Sequence, residues 1–138
     1  MEINNIDFYN LGYLKAIYTL SDIELNNDVV SVAFLFKSKL LLIELNEEDD
    51  TISISVHKVI EFQLRDMKRN KVIEAYFSIK LKYQCIWMWS LINQQGYNDG
   101  VQLQFVKMSS DLYHTITIQC LVIASALKFS VSTPIDFD

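Results

Sequence analysis

The sequence predicts a mainly β fold, an antiparallel meander sheet with at most about two short helices, with α+β as the neighbouring possibility. Three observations predict it. Apolar or alternating stretches succeed one another over residues 29–57 with only short polar turns between them. A period of two returns over 101–105 and again over 114–123. β-Branched and aromatic residues fill these stretches, while the chain holds only 3 Gly and 1 Pro, a bias that suits half-buried pleated surfaces.

Taken in order, residues 4–11 read as a single helical turn or an extended arm, and 13–20 (Tyr-Leu-Lys-Ala-Ile-Tyr-Thr-Leu) as a strand. Residues 21–28 are a polar, Asn- and Asp-rich connection. Residues 29–36 and 40–45 are apolar on both faces, which predicts central strands covered on both sides. Residues 51–57 alternate, with Ile52, Ile54 and Val56 inward and Ser53, Ser55 and His57 outward. Ile60, Phe62 and Leu64 continue that period, and a charged turn follows over 66–71.

Residues 72–92 fit two periods. Phe77, Ile79, Leu81, Tyr83, Cys85, Trp87, Trp89 and Leu91 recur every second residue, yet Ile73, Phe77, Leu81, Cys85, Met88 and Ile92 make a helical stripe. One strand of some sixteen residues is longer than usual. The reading is therefore a short helix or turn near 71–77, then a strand that bends or bulges before a second stretch at 84–92. Residues 93–100 are a loop, 101–105 a half-exposed strand, 109–111 a turn, 114–123 a strand and 127–131 a last strand.

The 138 residues suit one domain spanning 1–138. With 51% hydrophobic and 21% charged residues the composition is that of a folded globular chain. The start has no basic segment leading into an apolar one, and the apolar run at 120–127 is far short of the ~20 residues a membrane helix needs. A cytoplasmic protein is expected, with Cys85 and Cys120 as buried free thiols. The net charge of −5 is uneven: residues 1–50 hold 10 acids and 3 bases, residues 51–107 hold 4 acids and 8 bases. An acidic total argues against nucleic acid as a partner and fits a basic protein partner.

No catalytic signature emerges. His57 and His114 lack a second His or a Cys at ligand spacing, so no metal site is expected. Gly12, Gly96 and Gly100 match no phosphate-binding spacing, and the acidic run at 47–50 lacks the alternation of a calcium loop, so no cofactor is expected either. Arg65, Lys68, Arg69, Lys71, Lys80 and Lys82 read as a polar turn and a solubilising strand face.

Two segments stand out as candidate binding sites. The turn Glu47-Glu48-Asp49-Asp50 concentrates four like charges that would steer a basic partner. The loop carries Asn93, Gln94, Gln95, Tyr97 and Asp99, dense in amides that donate and accept, with Asp99-Gly100 suited to a turn needing positive φ. It follows Trp87-x-Trp89, whose rings share one strand face and are expected as a block of core, or else as one wall of a pocket.

Trp-x-Trp, then Asn-Gln-x-Gly-Tyr-x-Asp-Gly and an alternating Gln-rich strand, resembles a family of small bacterial proteins classed as a domain of unknown function. The resemblance is sharpest over residues 85–106 and vaguer over 29–57. It implies a bacterial single-domain protein and supplies no activity or catalytic residues. Small acidic bacterial proteins of this build are similar to immunity proteins that neutralise a toxin. The expected function is non-catalytic protein binding, as an immunity protein acting by occlusion through an acidic surface with Tyr97 as an anchor. A small-molecule binding protein or enzyme with a pocket beside Trp87, Trp89 and the 93–100 loop is the first alternative. A structural subunit of a larger assembly is the second.

Overall fold

The computed structural model describes residues 6–7, 10–22, 28–59, 64, 67–77, 82–107, 115–123 and 126–132. Alternating and apolar stretches form strands where the sequence places them: β1 (Ala16–Asp22), β2 (Asp28–Leu35), β3 (Lys39–Asn46) and β4 (Thr51–Lys58). With the two-residue β5 (Lys68–Arg69) they make an antiparallel sheet in the order β4-β3-β2-β1-β5. The doubly apolar β2 and β3 are indeed central. Val32, Phe34, Leu41 and Ile43 point into the main core. Ala33, Leu40 and Leu42 form a separate cluster on the other face, packed with Tyr18, Leu35, Leu64 and Met67. The edge strand β4 buries Ile52 and Ile54 and leaves Ser53 exposed.

The two competing periods of residues 72–92 resolve by division. Residues 71–77 form the helix α1 (Lys71–Phe77). Asn70 caps it, its Oδ1 accepting from Ile73 N at 3.0 Å, and Ile73 and Phe77 lie one turn apart on its buried face. Four strands follow as a second antiparallel meander: β6 (Tyr83–Ile92), β7 (Asn98–Lys107), β8 (Thr115–Ile123) and β9 (Ala126–Ser132), in chain order. Among the described residues no helix is long and apolar enough to cross a membrane.

The two sheets share one core. Phe105 of β7 meets Phe34 of β2 (centroids 5.9 Å) and Phe77 of α1 (5.0 Å, edge to face), and Phe77 meets Tyr83 of β6 (5.5 Å). One aromatic cluster therefore joins sheet, helix and sheet. The chain entering β1 links the sheets along their edges. Leu14 N donates to Tyr83 O (2.8 Å), and Lys15 N donates to Leu35 O (2.7 Å). Cys85 and Cys120 are buried free thiols on strands separated by β7, so no disulfide joins them.

The sequence reading did not foresee Glu74. Its carboxylate is buried, accepts from Ile17 N at 2.9 Å, and accepts from Arg69 Nε at 2.7 and 2.9 Å. Asn70 N donates to the Ile17 carbonyl at 2.7 Å. Past the end of the short β5, Asn70 and Glu74 thus satisfy the backbone groups of Ile17 that a longer neighbouring strand would have paired. Arg69, expected as a solubilising charge, is half of this fastening. Of the predicted alternation at 60–64 only Leu64 is described. Arg65, Lys80, His114 and the turn at 109–111 lie outside the described residues.

Candidate functional site

The face that distinguishes this molecule is created by one extra residue. Cys85 pairs with Phe105, but Trp87 pairs with Gln104, so Ile86 has no opposite number and β6 bulges there. The Cys85 thiol donates to the Trp87 carbonyl at 3.7 Å across the bulge. In an unbroken register Trp87 would stand opposite Leu103, facing the core. The bulge reverses the phase, so Met88 becomes the buried residue and both tryptophans turn outward.

The expectation that Trp87 and Trp89 form core is therefore corrected: they are 57% and 42% exposed. Their rings lie 6.1 Å apart between centroids and 19° from parallel, an offset stack. Neither indole N–H has a hydrogen-bond partner among the described residues.

Strand register extends this pair across the whole outer face of the second sheet. One row runs Trp87, Gln104, Thr117, Ser132, and the next runs Trp89, Gln102, Gln119, Ser130. Neither row contains a charge. A third row runs Leu91, Gly100, Leu121, Lys128. Gly100 is essential to its packing, because a Cβ there would stand 2.5 Å from Leu121 Cδ2 and 2.8 Å from the Cys120 carbonyl oxygen. Exposed Ile92 and Ile123 continue the apolar surface at the same end of the sheet.

The predicted loop is shorter than expected, because β7 already begins at Asn98 and leaves residues 93–97 as the connection. Its positive-φ glycine is Gly96 (φ 85°), so Gly100 is required for space and Gly96 for conformation. Asn93 organises the turn. Its Oδ1 accepts from Gln95 N (2.9 Å) and Tyr97 N (3.1 Å), its Nδ2 donates to Asp99 Oδ2 (3.4 Å), and its backbone N donates to Tyr97 O (2.9 Å). Asn98, with its amide nitrogen turned toward the strand, donates to the Gly100 and Leu91 carbonyls at 2.9 and 3.1 Å. Asn93 and Asp99 are thus committed to the loop itself. The side chains of Gln94, Gln95 and Tyr97 are exposed and have no hydrogen-bond partner among the described residues.

The acidic turn is elsewhere, between β3 and β4. Asp49 Oδ1 accepts from Thr51 Oγ1 (2.6 Å) and Thr51 N (3.2 Å), and the Asn46 carbonyl accepts from Asp50 N (3.0 Å), with Asp50 at φ 55°. Asp49 and Asp50 shape the turn, and Glu47 and Glu48 project into solvent.

A model of the family described as "Family of unknown function (DUF6334)" matches residues 1–136. The chain belongs to that family. DUF6334 carries no assigned activity, so its match fixes kinship and leaves chemistry to the site. No curated protein and no solved structure matches the chain.

Proposed function

We propose that this protein is a non-catalytic protein-binding module whose contact surface is the outer face of the four-stranded sheet, centred on Trp87 and Trp89. The observation that supports this reading is the outward turn of both tryptophans onto a face whose two central rows are uncharged. Interface centres are depleted of charge and enriched in aromatic residues. Binding energy concentrates on Trp, Tyr and Arg. Tyr97, 52% exposed at the adjoining hairpin tip, supplies a third aromatic anchor, with Gln94 and Gln95 beside it as adaptable polar contacts.

The acidic turn has a separate part in the proposal. Glu47 and Glu48 favour the approach of a basic partner and govern its association rate, whereas the tryptophan face governs how long the complex lasts. Neutralisation of a basic toxin by occlusion is the biological role that fits such a module, in a bacterial cytoplasm. Affinity capture from the native cell, run in parallel with wild type and Trp87→Ala/Trp89→Ala, tests the reading. A partner retained by wild type and lost by the variant is expected. A partner retained equally by both refutes the assignment of the face.

The glutamine, threonine and serine side chains of the two rows favour one second reading. Amides and hydroxyls beside an exposed indole suit a neutral polyhydroxylated ligand, which would stack on the ring and hydrogen-bond across the sheet. Tryptophan fluorescence titrated with neutral oligosaccharides separates the two: a saturable change favours the sugar, and its absence with retained protein capture favours the module.

A further inference from the structure

We infer a second binding site, independent of the tryptophan face, that takes a small organic phosphate. It is a cavity of about 410 Å³ lined by Lys37, Ser38, Lys39, Lys58 and Val59, where the β2–β3 turn meets the end of β4. The backbone holds this corner firmly. Phe36 N donates to Lys39 O (2.9 Å), Val59 N donates to Ser38 O (3.0 Å), and Phe36 is fully buried beneath the turn.

The three lysines are placed against their own electrostatic preference. Lys39 and Lys58 are directly opposed cross-strand partners, and like charges in that position repel. Lys37 lines the same cavity. The ion pairs among the described residues, Arg69–Glu74 and Lys128–Asp28, involve none of the three. The chain has 17 acidic residues against 12 basic ones, yet no carboxylate among the described residues forms an ion pair with these lysines.

All three lysines line one concavity. An anion that bridges the ammonium groups removes the repulsion and adds charge-assisted hydrogen bonds. Phosphate suits the site, since two negative charges can be shared among three lysines and the Ser38 hydroxyl can donate to a further oxygen. The cavity lies within the usual range for organic ligands. The lysine stems and Val59 offer apolar walls for the remainder of the molecule, so a phosphate ester fits better than the bare ion.

The test is a nuclear magnetic resonance titration of the full chain with phenyl phosphate, pyrophosphate and inorganic phosphate, at ionic strength held constant with sodium chloride. Saturable shifts confined to the backbone amides of residues 36–39 and 57–59 are expected, with phenyl phosphate or pyrophosphate binding more tightly than phosphate. Lys39→Gln/Lys58→Gln should weaken binding at least tenfold and, by relieving repulsion, fold with a melting temperature no lower than wild type. Lys68→Gln/Lys128→Gln removes equal charge elsewhere and should change affinity less than twofold. Shifts spread over lysines generally, or equal losses in the two double variants, overturn the site. Trp87→Ala/Trp89→Ala should bind phenyl phosphate as wild type does, which keeps this test separate from that of the sheet face.

Discussion

At the scale of single residues, buried polar atoms carry the sharpest consequences. Glu74 supplies an acceptor for the Ile17 N–H inside the protein. Glu74→Ala strands that donor and should lower the unfolding free energy by about 1–3 kcal/mol, measured by urea denaturation. Glu74→Gln keeps an acceptor and should fall between. Asn93→Ala removes the acceptor of two backbone N–H groups in an exposed turn and should cost about 1 kcal/mol. The thiols are governed by burial, which pushes Cys85 from 9.0 up to about 12 and raises Cys120 as well. Thiolate is the reactive form, so neither thiol should react with an aromatic disulfide reagent at pH 8 until the chain is unfolded. The same shift has a pH consequence. The unfolded chain releases these protons above about pH 9 while the folded chain retains them, so this contribution to stability is complete below pH 9 and is lost toward pH 12. Cys85→Ala should flatten that decline in a series of urea melts.

At the scale of elements, the β6–β7 hairpin depends on two glycines for different reasons. Gly100 leaves room for Leu91 and Leu121 to close over it, and one of the atoms a Cβ would meet is the Cys120 carbonyl oxygen, which the ladder cannot easily move. Gly100→Ala should therefore destabilise by about 1–3 kcal/mol through overpacking. Gly96 has open space around it but a left-handed backbone, so Gly96→Ala should cost about 1–2 kcal/mol through conformation alone. Urea melts of the two variants separate the mechanisms. Added bulk, as in Gly100→Val, should worsen the first much more than Gly96→Val worsens the second relative to its alanine variant. The bulge at Ile86 is the element on which the tryptophan face depends. Deleting Ile86 would remove the extra residue and leave Trp87 opposite Gln104 and Met88 opposite Leu103, so both indoles should stay outward, and an unshifted indole emission would report it.

At the scale of the whole molecule, one surface of the second sheet is buried in the core and the other carries the exposed tryptophans, and mutations should divide accordingly. Phe105 sits at the junction of β2, α1 and β7, and Phe105→Ala should cost about 3–5 kcal/mol. Trp87→Ala/Trp89→Ala removes rings that already face water, so the melting temperature should stay within a few degrees while binding through that face is lost. Glu47→Lys/Glu48→Lys should slow association with a basic partner and blunt its salt dependence, leaving dissociation nearly unchanged. Stopped-flow association at several salt concentrations checks this.

The sequence by itself located the eight longer strands to within a few residues, narrowed 71–77 to a short helix or turn, and indicated that β2 and β3 are covered on both faces and that the thiols are free. These are consequences of local periodicity and composition, which every short stretch carries within itself. Lys68–Arg69, read as part of a charged turn, is instead the strand β5. Only the tertiary structure decided which way Trp87 and Trp89 point, because a bulge is a mismatch between two strands and has no existence in one of them. Glu74 escaped notice for a related reason: a carboxylate in a charged stretch looks solvated until the backbone N–H it serves, 57 residues earlier, is brought beside it. The lysine cavity is likewise a product of pairing. Lys39 and Lys58 stand in different strands, and only the register of β3 against β4 sets the two residues opposite each other.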